Sequence, residues 1–134
     1  MSTEPDPPAA DARTVVLHLP ADPTLLRVAR VTVASVAAEL PFTLQDVEDL
    51  RVAVDELAAV AIEDCPPTTV VEIEVALAGD GLTVRGRVPG AGPLGQLHPV
   101  AADLLDLVAE GYELATDGGD RTFRFAKQPQ VHAS

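Results

Sequence analysis

The chain has 134 residues, 47% of them apolar, which suits a single domain with a buried core. Nine lysines and arginines stand against 21 aspartates and glutamates, and the net charge of −12 argues against a nucleic-acid or anionic-membrane partner. The single Cys65 excludes an internal disulfide. Because the N-terminal residues lack a signal-peptide pattern and no apolar run is long enough to span a membrane, we expect a soluble cytoplasmic protein.

The N-terminal third predicts a tail, a strand and a helix. Residues 1–12 are rich in Pro, Asp and Ala and are predicted to be disordered. The β-branched segment 14–20 is predicted to be a strand. Segment 21–40 opens with Asp22 before Pro23, which is typical of a helix N-terminus. Its apolar residues recur at helical spacing: Leu25, Val28, Ala29, Val33, Val36, Ala37 and Leu40.

A second helix is predicted for 42–64. Thr43 and Asp46 occupy the two positions of a capping box, and the prolines that begin at Pro66 are predicted to stop the helix. One face of this helix is apolar and is predicted to be buried: Leu50, Val54, Leu57 and Ala61.

The remainder of the chain predicts two hairpins separated by a loop and a short helix. The segments are strands 68–77, 82–88, 112–117 and 121–127, a Gly/Pro-rich loop at 89–99 and a helix at 100–110. This order predicts an α/β two-layer sandwich of the α+β class. Its sheet is expected to be mixed, mostly antiparallel and covered on one face by helices. We expect one domain over 13–128 and a frayed tail over 129–134.

The helix at 42–64 carries the first candidate site residue, Glu56. Val60 lies one turn further along the same face. Glu56 is interpreted either as a site acid or as one more solvated acid on an acidic helix. Spacing alone favours the solvated interpretation.

The second candidate site is the loop PGAGPLG. Its glycines Gly90 and Gly92 would allow close approach of the backbone to a phosphate or an adenine. The spacing matches neither a P-loop nor a dinucleotide fingerprint, so spacing alone favours an ordinary connection. The histidines are scattered and there is one cysteine, so no metal site is predicted.

The segment LRVAVDELAAVAI (50–62) resembles the first ATP-site helix of the anti-sigma-factor serine kinases. These are small bacterial members of the histidine-kinase-type ATPases, also called the Bergerat or GHKL fold. The resemblance extends over 14–127 in the order of elements, and LLDLVAEGYELATDGGDRTFRFAK is similar to the closing segment of that family.

The resemblance implies an Mg-ATP site with a catalytic acid at Glu56. The magnesium-binding asparagine of the family falls on Val60, which has no oxygen ligand to offer. The Asp-Gly-x-Gly box that binds adenine falls near Gly90 and Gly92, with Val88 or Pro89 in place of the aspartate. The resemblance therefore predicts a degenerate ATP site with Glu56 vestigial, and no cofactor is expected unless the site still binds ATP and magnesium.

The resemblance also implies the partners, namely a sigma factor and a STAS-type anti-anti-sigma protein. Arg27 and Arg30 are candidate partner contacts, and a homodimer through strand 14–20 and helix 23–40 is possible on the same basis. Three functions stay open. The first is an anti-sigma-factor-like regulator with weak or absent ATP binding. The second is an active Mg-ATP-dependent serine/threonine kinase, and the third is a non-enzymatic adaptor with another partner.

Overall fold

The computed structural model describes residues 13–129, so the tail predicted for 1–12 and nearly all of the one predicted for 129–134 lie outside it. Five strands and three α-helices follow one another in the predicted order. Their bounds are β1 Arg13–Pro20, α1 Leu26–Ala37, α2 Leu44–Ala61, β2 Val70–Ala78, β3 Gly81–Val88, α3 Pro99–Val108, β4 Glu110–Asp117 and β5 Asp120–Lys127. None of the helices in this part of the chain is both long and apolar enough to cross a membrane.

The strands form one sheet in the order β1-β2-β3-β5-β4, with the helices packed against one face. This confirms the predicted two-layer α+β sandwich. Within the described residues each pairing is antiparallel, so the sheet contains none of the parallel pairs that a mixed sheet would have. Two of the four pairings, β2–β3 and β4–β5, are hairpins, and strands joined by a tight turn must run antiparallel.

The first helix begins differently from the prediction. A 3₁₀ turn, Pro23–Leu25, precedes α1, and the side chain of Asp22 accepts a hydrogen bond from the Thr24 N–H at its start. The buried residues of α1 are Leu26, Ala29, Val33 and Ala37. Val28 is 36% exposed, so its predicted place in the apolar stripe is wrong, because it lies about 100° around the helix from Ala29.

The second helix begins as predicted. The Thr43 hydroxyl accepts from the Asp46 N–H at 3.0 Å, and the Asp46 carboxylate accepts from the Thr43 N–H at 2.9 Å, which forms a reciprocal capping box. The predicted stripe Leu50, Val54, Leu57 and Ala61 is buried. The helix ends before Pro66 is reached, and Asp64, with φ of 62°, turns the chain away.

The core lies between the helices and the sheet and is built mainly from valine, leucine and alanine. Alternate residues of β2 face it: Val71, Ile73, Val75 and Leu77. Gly86 on β3 lies opposite Phe123 on β5, and a Cβ at Gly86 would come within 2.0 Å of the Phe123 ring. The glycine therefore makes room for one of the few aromatic rings of the core.

Candidate functional site

The two α2 residues singled out by the sequence have different surroundings. Glu56 is half-buried, and its side chain has neither a hydrogen bond nor an ion pair with another residue of 13–129. Val60, one turn later, is buried, with 6% of its surface exposed. An apolar side chain offers no ligand to a hard cation such as magnesium. The carboxylate of Glu56 is thus available for chemistry, whereas Val60, one turn later, has no oxygen with which to bind a metal.

The Gly-rich loop is held to the turn between β4 and β5 by its own backbone. The Gly90 N–H donates to Asp120 Oδ1 at 2.8 Å, and the Gly92 N–H donates to the Gly119 carbonyl at 2.8 Å. Both loop glycines have positive φ, 68° and 79°, the left-handed region that favours glycine. These two N–H groups are the donors that a phosphate cradle would use, and each already has a protein acceptor.

Asp120 joins the loop to the sheet. Its carboxylate accepts from Gly90 and is also bonded to the guanidinium of Arg87 on β3. The hydrogen bond from the Gly90 backbone, followed by the one from Arg87, lowers the pKa of Asp120 below its usual 3.8. Both donors favour the charged carboxylate, so Asp120 is an anion when it fixes the first turn of the loop.

Arg121 lies beneath the same loop and is buried, with 7% of its surface exposed. Its Nη1 donates to the Ala61 carbonyl at 3.0 Å and to the Glu63 carbonyl at 2.7 Å, both at the C-terminal end of α2. Its Nε donates to the Gly92 carbonyl at 3.3 Å. One guanidinium therefore connects the end of α2, the Gly-rich loop and β5.

Cys65 completes this cluster, with its Sγ 3.6 Å from Arg121 Nη1. The thiol is half-buried and also borders a cavity of about 290 Å³, where Pro23, Leu26 and Glu63 contribute to the wall. A second hollow, of about 320 Å³, lies on the open face of the sheet, where Arg85 and Arg124 are among the lining residues. Both cavities are away from Glu56 and the loop glycines.

The two candidate partner contacts on α1 also differ. Arg27 is exposed. Arg30 is half-buried, and its Nε lies 3.0 Å from Asp55 Oδ1 on α2. Burial raises the pKa of Asp55, and the neighbouring Arg30 partly opposes that rise. Arg30 thus has an internal role in joining the two helices, whereas Arg27 is open to a partner.

Three features of the predicted nucleotide positions bear on whether they could hold Mg-ATP. Val60 has no oxygen, Val88 is fully buried and apolar, and the N–H groups of both loop glycines are bonded within the protein. Across residues 13–129, no three His, Cys, Asp or Glu side chains are grouped so that they could hold a metal ion.

Sequence reasoning missed Arg121. The signal was the alternation in RTFRFAK, which places Arg121 on the same side of β5 as Phe123 and Phe125, both of which are buried. A charged residue in the inward position of a strand is rare unless it has polar partners. The carbonyls at the end of α2 are these partners, and no local pattern relates them to β5.

No family model and no curated protein matches the chain. Among solved structures it is similar to the crystal structure of the RsbU and RsbW domains of Rv1364c from Mycobacterium tuberculosis, with a TM-score of 0.63 and 19% identity. The similarity covers 90% of this chain and 35% of that one, so the chain spans about a third of the length of that structure. At this identity the similarity shows a shared fold.

Proposed function

We propose that this protein is an anti-sigma-factor-like regulator that binds a sigma factor, a STAS-type antagonist or both in the cytoplasm, with weak or absent ATP binding. The observation that carries the proposal is a mismatch between fold and site. The chain shares its fold with a structure that contains an RsbW domain, a domain of the anti-sigma serine kinase type. Its own loop glycines and Val60 are unsuited to a nucleotide.

Partner binding requires a surface and can persist after the nucleotide site has been lost. The net charge of −12 supports a basic partner such as a sigma factor, which must present cations to DNA. Opposite charges accelerate association and favour correct partners more than they increase affinity. The exposed Arg27 is a candidate contact at the margin of such an interface, and Arg30 supports it by fixing α1 against Asp55 of α2.

The exposed side of β1 and α1 supports the proposal of a homodimer. β1 is an edge strand of the sheet, and its Val15 and Val16 are 39% and 48% exposed. Val31 on α1 is 63% exposed. An uncovered edge strand with apolar side chains is a surface that proteins commonly pair with another chain. Light scattering of the wild type and of Val16→Lys would test the homodimer. A lysine at this position places a charge on the apolar edge strand, so the variant should be a monomer.

The active-kinase alternative rests on Glu56, which is half-buried and whose carboxylate makes no hydrogen bond or ion pair with another described residue. Phosphoryl transfer needs a metal to neutralise charge, and Val60 cannot bind one. Glu63 and Asp64 are exposed just beyond the end of α2 and are the first acids after Val60 in the sequence. This alternative requires them to replace the missing ligand.

A thermal-shift titration with ATP and ADP, with and without magnesium, separates these functions. A ligand at 100 times its dissociation constant stabilises the folded state by about 2.7 kcal/mol and raises the melting temperature by a few degrees. We expect no magnesium-dependent rise. A clear rise that Val60→Asn does not increase, together with kinase activity that Glu56→Gln abolishes, would establish the kinase instead.

Co-purification with candidate sigma factors tests the partner. We expect a sigma factor to bind wild-type protein and Glu56→Gln equally, and to associate more slowly as salt increases. Arg27→Glu is the interface variant, and Arg51→Glu on the exposed side of α2 is its control. If every sigma factor of the organism fails to bind while another protein is captured, the adaptor alternative replaces the regulator.

A further inference from the structure

The inference concerns the buried guanidinium of Arg121. In the described part of the chain no carboxylate oxygen lies within 4.0 Å of it, although the protein has 21 acids. Its charge is instead met by the Ala61 and Glu63 carbonyls, which end α2. The C-terminal end of a helix carries partial negative charge and unpaired carbonyls, so it is a natural site for a cation.

The position of Arg121 relates it to each of the three candidate nucleotide positions. It pairs directly with Val88 across β3 and β5. It bonds to the carbonyl of Ala61, the residue after Val60, and to that of Gly92. The space between α2, the end of β3 and the Gly-rich loop is therefore occupied by a side chain of the protein itself.

The bonds of Arg121 are also costly to give up. A buried guanidinium that loses its acceptors retains its charge, because arginine is not deprotonated in proteins. The loop is held from its other side as well, through Gly90 to Asp120 and Gly92 to Gly119. The loop thus has one position, determined by contacts within the chain.

We propose that Arg121 takes the place of a ligand in this cleft and holds the Gly-rich loop and the end of α2 in one permanent arrangement. Partner binding is consequently independent of ATP and ADP. This second statement rests on the proposed function, whereas the first concerns the folded chain alone and can be tested separately.

Amide hydrogen exchange tests the first statement. Arg121→Met keeps the length and removes every donor, so the loop around 90–95 and the α2 end around 61–65 should exchange at least about tenfold faster. The β2 amides should be unchanged, which also shows that the variant is folded. Arg124→Met is the matched control, because Arg124 lies three residues further along the same strand, on the open face of the sheet. Equal exchange in Arg121→Met and wild type would overturn the proposal.

Arg121→Lys is a second, milder variant. Lysine keeps the charge but has only one donor group. We therefore expect it to keep the hydrogen bonds to the carbonyls at the end of α2 and to lose the one to the Gly92 carbonyl. Exchange should then accelerate in the loop and not in α2. Acceleration in α2 alone would contradict the arrangement, because the loop would not depend on Arg121.

Nucleotide and partner measurements test the second statement. Millimolar ATP or ADP should leave loop exchange in the wild type unchanged, and the dissociation constant of a bound sigma factor should be the same with and without nucleotide. Slower loop exchange with ATP, or a more than threefold shift in sigma-factor affinity, would overturn the inference. Failure of every sigma factor to bind would overturn the proposed function and leave the exchange result standing.

Discussion

Lys127, the last residue of β5, places its Nζ 3.8 Å from the fully buried carboxylate of Asp46 at the start of α2. The same Nζ donates to Asp49 at 3.2 Å. A single cation therefore neutralises two acids of the first turns of α2 and joins that helix to the far end of the chain. Asp46 has a second role in the capping box, because its carboxylate accepts a hydrogen bond from the N–H of Thr43.

Replacing Lys127 tests this connection. Lys127→Met retains most of the apolar stem and leaves Asp46 buried without its cation, so the free energy of unfolding should fall by about 3 kcal/mol. Urea denaturation measures the change. Arg51→Met is the control, because Arg51 pairs with Glu48 at 3.5 Å on the exposed side of α2 and should cost less than about 1 kcal/mol. Equal losses of stability in the two variants would show that the buried pair of Lys127 and Asp46 contributes no more than an exposed ion pair.

Removing the N-cap hydroxyl tests the start of α2. Thr43→Ala leaves the Asp46 N–H without its acceptor and should lower the free energy of unfolding by about 1 kcal/mol. The comparison is Ser35→Ala on the exposed side of α1, which should change stability little and in the favourable direction. A neutral Thr43→Ala would mean that water replaces the hydroxyl at no cost.

The contact between Gly86 and Phe123 predicts a non-additive pair of substitutions. In Gly86→Ala the new Cβ would lie 2.0 Å from Phe123 Cε2, so the ring must shift and the stability should fall by roughly 1–3 kcal/mol. In a Phe123→Leu background the same change should cost much less, since the ring is gone. A double-mutant cycle in chemical denaturation measures this coupling, and simple additivity would contradict the steric explanation.

Asp120 predicts a pH dependence with a definite sign. Its pKa is lowered in the folded state, chiefly by the Gly90 N–H and then by Arg87. The stability it contributes is therefore fully present above its ordinary pKa of 3.8 and is lost as the pH falls through the lowered folded value.

The test compares wild type with Asp120→Asn at about pH 6 and about pH 3. At the higher pH the wild type should be more stable than Asp120→Asn, and this difference in the free energy of unfolding should shrink at the lower pH. In an Arg87→Ala background part of the difference should persist, because the Gly90 N–H remains. A difference that is constant with pH would show that the charge of Asp120 is not what the loop requires.

Local patterns were sufficient for much of the fold. The alternation in β2, the capping box of Thr43 and Asp46, and the apolar face of α2 each depend on residues a few positions apart, and each is found as predicted. Val28 was misplaced because it lies about 100° around α1 from the buried Ala29. The 3₁₀ turn before α1 was not predicted either. A helix boundary of that kind depends on tertiary packing as well as on propensity.

By itself, the sequence determined the order of the elements, the acidic charge and the absence of an oxygen ligand at Val60. Only the tertiary structure decided what occupies the neighbouring cleft. Arg121 is 60 residues from Ala61 and 29 from Gly92 in the chain, yet it bonds to both carbonyls. Backbone acceptors are the same for every residue type, so no sequence pattern marks them. They become a site for a buried arginine only when the fold brings the end of a helix, a loop and a strand together.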